Sequence, residues 1–356
     1  MRKTGVTDLP LHYGKAPRWL FEKMKFLARE VIIAIVSEKG PEEFLRKISD
    51  PLWFQALGCV LGFDWHSSGL TTTTCGAIKE AVKGLEKELG VFVAGGKGKV
   101  SLNTPLEITQ KTEKISTNPE PLIYASRMAA KVDTAGLQDG FQLYHHCFIF
   151  TSSGKWAIVQ QGMNELTGYA RRYHWIGEKV KSFVCEPHLA ICSEWKGQGL
   201  NMVAKESEKA RKVCTELSRE KPSGIIKDLK RIQKLKMPTS HSFSLEKTKP
   251  EKLEKTLHIL YEKNPKNFEE VLETKGVGVK TIRALALVSD LIYGAKPSFK
   301  DPATYSFAHG GKDGHPYPVD KKTYTETILT LHKALREAKI GRSEKIKAIK
   351  RLRVFL

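Results

Sequence analysis

The residues with the clearest chemical signature form a glycine turn between two predicted helices. The run FEEVLETKGVGVKTIRALAL at residues 268–287 places Gly276 and Gly278 between two segments of helical periodicity. Glycine lets the backbone turn sharply and approach a ligand closely, and the N–H groups that open a helix favour a phosphate oxygen. Three polar side chains that suit a phosphate ligand follow: Lys280, Thr281 and Arg283. This spacing predicts a site that grips a phosphate backbone.

This run resembles the helix-hairpin-helix motif, which binds the backbone of one DNA strand without reading its bases. Together with YPVDKKTY at residues 317–324, it is similar to the base-excision DNA glycosylases of the endonuclease III superfamily. That resemblance implies that Lys280 attacks the sugar carbon as a Schiff-base nucleophile and that Asp320 assists it. The interval between these two residues is longer than the family normally shows, and a lysine here also suits a hairpin that only binds. No cysteine follows Cys214, so no iron–sulfur cluster is expected.

A second polar set surrounds a predicted β-hairpin at residues 141–161. Asp133 and Asp139 precede the hairpin, and His145 and His146 lie in its first strand. Carboxylates and imidazoles are ligands for Mg²⁺ or Mn²⁺ in strand-cleaving sites, so these four residues are candidate metal ligands. Adjacent strand residues face opposite sides, so only one of the histidines can line a given site. The alternative is structural, with turn and capping aspartates and one core histidine.

A third candidate is the run YARRYHW at residues 169–175, which mixes guanidinium groups with aromatic rings. Arginine pairs with phosphate in a bidentate manner, and tyrosine can stack on an unpaired base. Arg171, Arg172 and Tyr173 are therefore candidate DNA contacts. The alternative is that the aromatic rings lie in the core and the arginines face solvent.

The distribution of charge also favours a polyanionic partner. The 356 residues contain 59 Lys and Arg against 39 Asp and Glu, a net charge of +20. Residues 1–200 contain 25 basic and 20 acidic residues, whereas residues 201–356 contain 34 and 19. Such an excess favours binding to phosphates with release of counterions. We therefore predict that DNA is the partner, with a solvated basic surface as the alternative.

The elements that must position these residues change in character along the chain. Helical periodicity dominates the first third, at residues 17–36, from Pro41 and at residues 74–89. Predicted β-hairpins follow at residues 91–102 and 141–161, with a further strand at residues 180–184. Beyond residue 200 the pattern predicts helices alone, at residues 204–220, 224–235, 251–262, 268–273, 279–293, 321–338 and 343–353. Residues 236–249 and 296–318 are predicted loops.

This order of elements predicts an α+β fold in two domains. Residues 1–200 form an α+β domain with a central β-hairpin or sheet, and residues 201–356 form a basic, all-α helix-hairpin-helix domain. The longest apolar run is far shorter than the ~20 residues of a membrane span, and the scattered cysteines fit a reducing compartment. We expect a cytoplasmic protein with no membrane partner, and a homodimer is left open.

Four further runs resemble a prokaryotic domain-of-unknown-function family, number 763. They are DLPLHYGKAPRWL at residues 8–20, DWHSSG at 64–69, VDTAG at 132–136 and QQGMN at 160–164. The resemblance brings no established chemistry, but it implies that both halves of the chain belong to one functional unit.

Three functions from different classes remain open on the sequence alone. The first is a divalent-metal-dependent DNA nuclease, which uses both halves and is favoured narrowly. The second is a DNA glycosylase or abasic-site lyase that uses Lys280 and Asp320. The third is a DNA-binding protein without catalysis. The sequence favours DNA processing or repair but leaves the cleavage chemistry open.

Overall fold

The computed structural model describes residues 16–63, 67–193, 197–234, 250–303, 321–339 and 341–352. The helices of the first half are α1 (Arg18–Lys39), α2 (Pro41–Ser49), α3 (Pro51–Leu61), α4 (Gly69–Val82), α5 (Glu86–Leu89), α6 (Lys99–Leu102), α7 (Thr104–Thr112) and α8 (Pro119–Lys131). Those of the second half are α9 (Glu208–Leu217), α10 (Pro222–Gln233), α11 (Glu254–Lys263), α12 (Phe268–Glu273), α13 (Val279–Leu291), α14 (Lys321–Glu337) and α15 (Arg342–Leu352).

The strands form two antiparallel sheets. They are β1 (Val91–Lys97), β2 (Leu137–Gln138), β3 (Gln142–Thr151), β4 (Trp156–Asn164), β5 (Tyr169–Ile176), β6 (Ala190–Cys192), β7 (Gln198–Asn201) and β8 (Ser298–Lys300). In the described part of the chain, the central sheet has the order β1-β3-β4-β5-β6 and a small sheet has the order β2-β7-β8. The predicted hairpin at residues 141–161 is confirmed as β3 and β4, which pair directly.

The central sheet is buried on both faces. Strand residues alternate between the faces, so Val91 and Val93 pack into one core while Phe92 and Ala94 pack into the other. The first core includes α1 to α4 together with α14 and α15. The second core includes α7 to α13. The result is a sheet enclosed between two helical layers, which confirms the α+β fold class.

The two cores do not follow the predicted division at residue 200. Helices α9 to α13 share the core that contains Phe148 and Trp175 of the central sheet. Helices α14 and α15 instead contribute Leu331, Leu335 and Ala348 to the opposite core. Residues 201–356 are therefore split between both faces of the sheet. They are also not entirely helical, because β8 pairs with β7.

Three predicted elements differ from the structure. Residues 99–102 are helical because β1 pairs with the distant β3 rather than with its neighbour. Gly95 permits this pairing, since its φ is +88° and a Cβ atom there would lie 2.2 Å from the carbonyl oxygen of His146. The helix predicted to begin at Thr74 begins at Gly69, and Thr74 is buried within it. Residues 180–184 form no strand.

The helices beyond residue 200 lie close to their predicted positions, and α12 has the predicted bounds. Asp320, the predicted linker at residues 236–249 and residues 304–318 of the predicted long loop fall outside the described residues. None of the helices in the described part combines the length and apolar character that a membrane span requires.

A buried ion-pair network joins the segment after β8 to the central sheet. Arg171 of β5 donates from Nη1 to Asp139 at 2.8 Å and from Nη2 to Asp301 at 2.8 Å. Asp301 also accepts from the backbone N–H of Gly197 at 2.7 Å, and Tyr173 donates to Asp139 at 2.8 Å. Arginine suits this role because its planar group presents several donors at fixed angles. The network fixes the small sheet against the central one.

We predict that Asp301→Ala lowers the free energy of unfolding by ~3 kcal/mol, the range for breaking a buried pair by removing one partner. The measurement is denaturant unfolding at neutral pH. Glu208→Ala is the matched control, because Glu208 forms an exposed pair with Lys212 on α9 and exposed pairs contribute little. Equal stability of the two variants would contradict the structural role of Asp301.

Candidate functional site

The α12–α13 hairpin consists of α12, the turn at residues 274–278, and α13. Gly276 is exposed and has a φ of +88°, a conformation that side chains with a Cβ rarely adopt. Val277 is buried and anchors the turn, while Gly278 is extended and precedes the first turn of α13. The two glycines and the apolar residue between them therefore fix the shape of the turn.

The first turn of α13 begins at the surface, since Val279 and Lys280 are exposed. Among the described residues, no side chain caps this helix at Gly278. The first N–H groups of a helix lack partners within the helix, and they lie at its positive end. Lys275 and Lys280 are exposed on the two sides of the turn. Backbone donors and two cationic side chains thus share one surface.

The structure places only some of the predicted phosphate contacts on this surface. Gly276, Gly278 and Lys280 lie there, whereas Thr281 is 3% exposed and faces the core. Arg283 is half-buried, and its Nε donates to Oε1 of Gln138 at 2.9 Å. Within one helical turn after Gly278, the side chain of Thr281 thus already points towards the interior. Thr281 and Arg283 therefore support the hairpin from within.

Lys131, the last residue of α8, holds the hairpin turn. Its ammonium nitrogen lies 2.8 Å from the carbonyl oxygens of Leu272 and Thr274 and 3.2 Å from that of Val277. The carbonyl oxygen of Glu273 is 3.3 Å away. The carbonyl groups at the end of a helix lack partners, and a cation there is favourable. One lysine thus satisfies the end of α12 and the turn together.

Gln138 holds the start of α13. Its Nε2 donates to the carbonyl oxygen of Val279 at 3.0 Å, while its Oε1 accepts from Arg283. Lys131 and Gln138 flank a short π-helical segment, Val132–Gly136, which packs against both α12 and α13. This segment, together with its two flanking residues, sets the position of the hairpin relative to the central sheet.

Asp133 lies inside this segment and is fully buried. Its Oδ2 accepts from Gln160 at 2.5 Å and from the indole N–H of Trp175 at 3.0 Å. Its Oδ1 accepts from Nε2 of His188 at 2.5 Å. A buried carboxylate requires such donors, because burial without them is costly. The oxygens of Asp133 therefore serve to anchor the segment in the sheet.

The two histidines of β3 face opposite sides of the sheet. His146 donates from Nδ1 to Gln160 at 2.6 Å and accepts from Ser126 at 2.9 Å, as a neutral ring does. His145 faces the other core, and neither of its ring nitrogens has a hydrogen-bond partner among the described residues. Burial, together with the positive charges of its neighbours, lowers the pKa of His145 to about 3. Both rings are neutral at pH 7.

The structure does not bring the four predicted metal ligands together. Asp133 binds Gln160, Trp175 and His188, and Asp139 binds Arg171 and Tyr173. His145 lies across the sheet from His146. Within the described ranges, no group of three or more His, Cys, Asp or Glu side chains could hold a metal ion. The Mg²⁺ or Mn²⁺ site remains a prediction without support from these residues.

The structure places the predicted DNA contacts of β5 in the interior. Arg171, Arg172 and Tyr173 are each 0% exposed. Arg172 donates to Thr71 at 2.9 Å and to Gln55 at 2.7 Å, and burial lowers its pKa to about 10. The run is an interior strand between β4 and β6, and the sheet is covered on both faces. DNA cannot reach them in this fold.

Three residues that organise the site were missed by the sequence analysis: Lys131, Gln138 and His188. Lys131 and Gln138 each contact the hairpin across 141 residues or more of sequence. A lone lysine at a helix end or a single glutamine carries no local signal of such a contact. His188 follows a loop with no regular pattern. Tertiary structure alone reveals their roles.

Comparison with known proteins gives one match. A family model described as "Protein of unknown function (DUF763)" matches residues 5–319. No curated protein and no solved structure matches the chain.

We predict that His145 makes stability depend on pH. Its folded-state pKa is about 3, below the ~6.5 of an unfolded chain. His145 therefore contributes fully to the free energy of unfolding above about pH 6.5. This contribution declines as the pH falls towards about 3, by ~1.4 kcal/mol per pH unit. Between about pH 7 and about pH 4.5, the free energy of unfolding of His145→Leu should fall by ~2 kcal/mol less than that of the wild type. The measurement is denaturant unfolding at each pH.

The comparison isolates His145, because His146 and His174 titrate in both proteins. Parallel stability curves for the wild type and His145→Leu over this pH range would show that His145 gains its proton as readily in the folded state as in the unfolded state.

Proposed function

The chain belongs to the DUF763 family, and we propose that it binds DNA through the sugar-phosphate backbone, without sequence preference, at the α12–α13 hairpin. The observation that carries the proposal is the turn itself. Its left-handed Gly276, buried Val277 and extended Gly278 direct the N–H groups of α13 outwards between exposed Lys275 and Lys280. The geometry supports the resemblance to a helix-hairpin-helix motif.

The chemistry of the turn matches a phosphate group. Backbone N–H groups at a helix N-terminus point at an anion, and the helix dipole adds to the attraction. Two exposed lysines, Lys275 and Lys280, lie at the turn and the start of α13, and lysines act on phosphate as point charges. Such contacts position a protein on DNA and carry no sequence information directly. The proposal is therefore one of non-specific binding.

The surroundings of the turn extend the positive surface. A Cβ atom on Gly276 would lie 3.5 Å from Oγ1 of Thr256, so the start of α11 adjoins the turn. Lys255, next to Thr256 in the chain, is exposed. Residues 201–303, which precede α14 and α15, contain 22 basic and 14 acidic residues. A field of this sign would steer DNA towards the hairpin.

The catalytic alternatives have less support from the described residues. The lyase requires Lys280 and Asp320, and Lys280 is exposed while Asp320 lies outside the described residues. The nuclease requires a metal site that the predicted ligands do not form. Both activities remain predictions, and binding is the function that the hairpin geometry supports directly.

We predict that Lys280→Gln weakens binding to duplex DNA several-fold, by ~1 kcal/mol, the scale of one charged contact. The loss should be equal for unrelated sequences, and the slope of log K against log salt should fall by about 1. The measurement is fluorescence anisotropy with the full chain between roughly 50 and 300 mM salt. Lys87→Gln removes the same charge from exposed α5 and is the matched control.

Equal affinities and salt slopes for the two variants would show that DNA binds to a surface other than the hairpin. A wild-type affinity that ignores salt would exclude phosphate contact altogether. Borohydride treatment with abasic DNA adds a separate test. A trapped adduct that disappears in Lys280→Gln would favour the lyase over simple binding.

A further inference from the structure

The ammonium group of Lys131 occupies the centre of a cage of backbone oxygens. The carbonyl oxygens of residues 272, 273, 274 and 277 lie between 2.8 and 3.3 Å from its nitrogen. An ammonium has three N–H bonds, so four oxygens share them as a coordination shell. Lys131 is half-buried, which separates this charge partly from water.

These oxygens converge on one point because of the shape of the turn. Three of the carbonyl groups belong to the last turn of α12 and its cap, where the helix dipole is negative. The fourth comes from Val277, which the left-handed Gly276 brings back towards the helix end. Carbonyl dipoles that point at a common centre repel one another unless a cation lies between them. A positive charge at this position therefore stabilises the observed turn.

We infer that Lys131 is the resident cation of the α12–α13 hairpin, a positioning residue that holds the turn and the first N–H groups of α13 in the conformation that binds phosphate. The cation is supplied by the chain itself, from the end of α8. Burial lowers the pKa of Lys131, and the nearby Glu273 carboxylate opposes this change. Because the ammonium of Lys131 already fills this position, the affinity of the wild type for DNA should not depend on which monovalent cation the salt contains.

Removal of the ammonium should expose a latent cation site. Backbone carbonyl oxygens are the ligands that replace the hydration shell of K⁺ in selective pores. An oxygen cage that fits an ammonium nitrogen at 2.8 to 3.3 Å has suitable dimensions for K⁺. Tetramethylammonium is too large to enter it. A variant with a neutral side chain at position 131 should thus depend on K⁺ where the wild type does not.

The test compares Lys131→Met with the wild type in chloride salts of K⁺, Na⁺ and tetramethylammonium at equal ionic strength. The affinity of the wild type for duplex DNA should agree within about twofold across the three salts. The affinity of the variant should be lower by about tenfold or more in tetramethylammonium, which is the scale of a lost hydrogen bond to a charged group. K⁺ should restore most of that loss. Lys263→Met is the matched control, since Lys263 contacts α12 through Glu270 and Glu273 but not the turn.

This inference rests on the proposed function for its DNA readout, so thermal unfolding without DNA is measured in parallel. The Tm of Lys131→Met should be higher in K⁺ than in tetramethylammonium. The difference in Tm between these two salts should be smaller in the wild type and in Lys263→Met, which keep the ammonium of Lys131. If the wild type fails to bind DNA while this K⁺-specific stabilisation appears, the proposed function is wrong, but the role of Lys131 as the cation in the cage of backbone oxygens is supported.

Two results would overturn the inference. One is a Lys131→Met protein with wild-type affinity and Tm in every salt. The other is a variant that is weakened equally in all three salts, which would make Lys131 an ordinary structural contact. Should Lys131→Met fail to fold, Lys131→Gln retains a donor without the charge, and the same salt comparison on it decides between these outcomes.

Discussion

The buried carboxylate of Asp133 fixes the segment on which the candidate site depends. Three donors from the central sheet and its neighbouring loop hold it: Gln160, Trp175 and His188. A buried charge tolerates few alternative positions, because each lost donor leaves a desolvated oxygen. The π-helical segment around Asp133 therefore has one defined placement. Segments of this kind often occur at functional sites.

The two ends of that segment transmit its position to the hairpin. Lys131 precedes Asp133 and holds four carbonyl groups of α12 and the turn. Gln138 follows it and holds Val279 and Arg283 of α13. The glycines give the turn its local shape, but the first half of the chain sets its orientation. This packing agrees with a family match that spans residues 5–319 without a break between the halves.

Sequence reasoning succeeded where local pattern decides the structure. The turn requires a positive φ at Gly276, which glycine accepts easily, so α12 and the start of α13 were predictable. The same reasoning failed where distant contacts decide. Residues 99–102 form a helix because β1 finds its partner in β3, some fifty residues later. Arg171 and Arg172 resemble surface residues in type, yet β5 pairs with β4 and β6 and both side chains are buried.

Hydrogen–deuterium exchange with and without saturating duplex DNA locates the binding surface, because it reports on each backbone N–H. We expect slower exchange on binding at residues 275–281, which cover most of the turn and the first turn of α13. Peptides of exposed α5 should exchange equally in both states. Unchanged exchange at residues 275–281, with protection by DNA elsewhere on the surface, would assign DNA binding to another part of the chain and exclude the hairpin as the binding site.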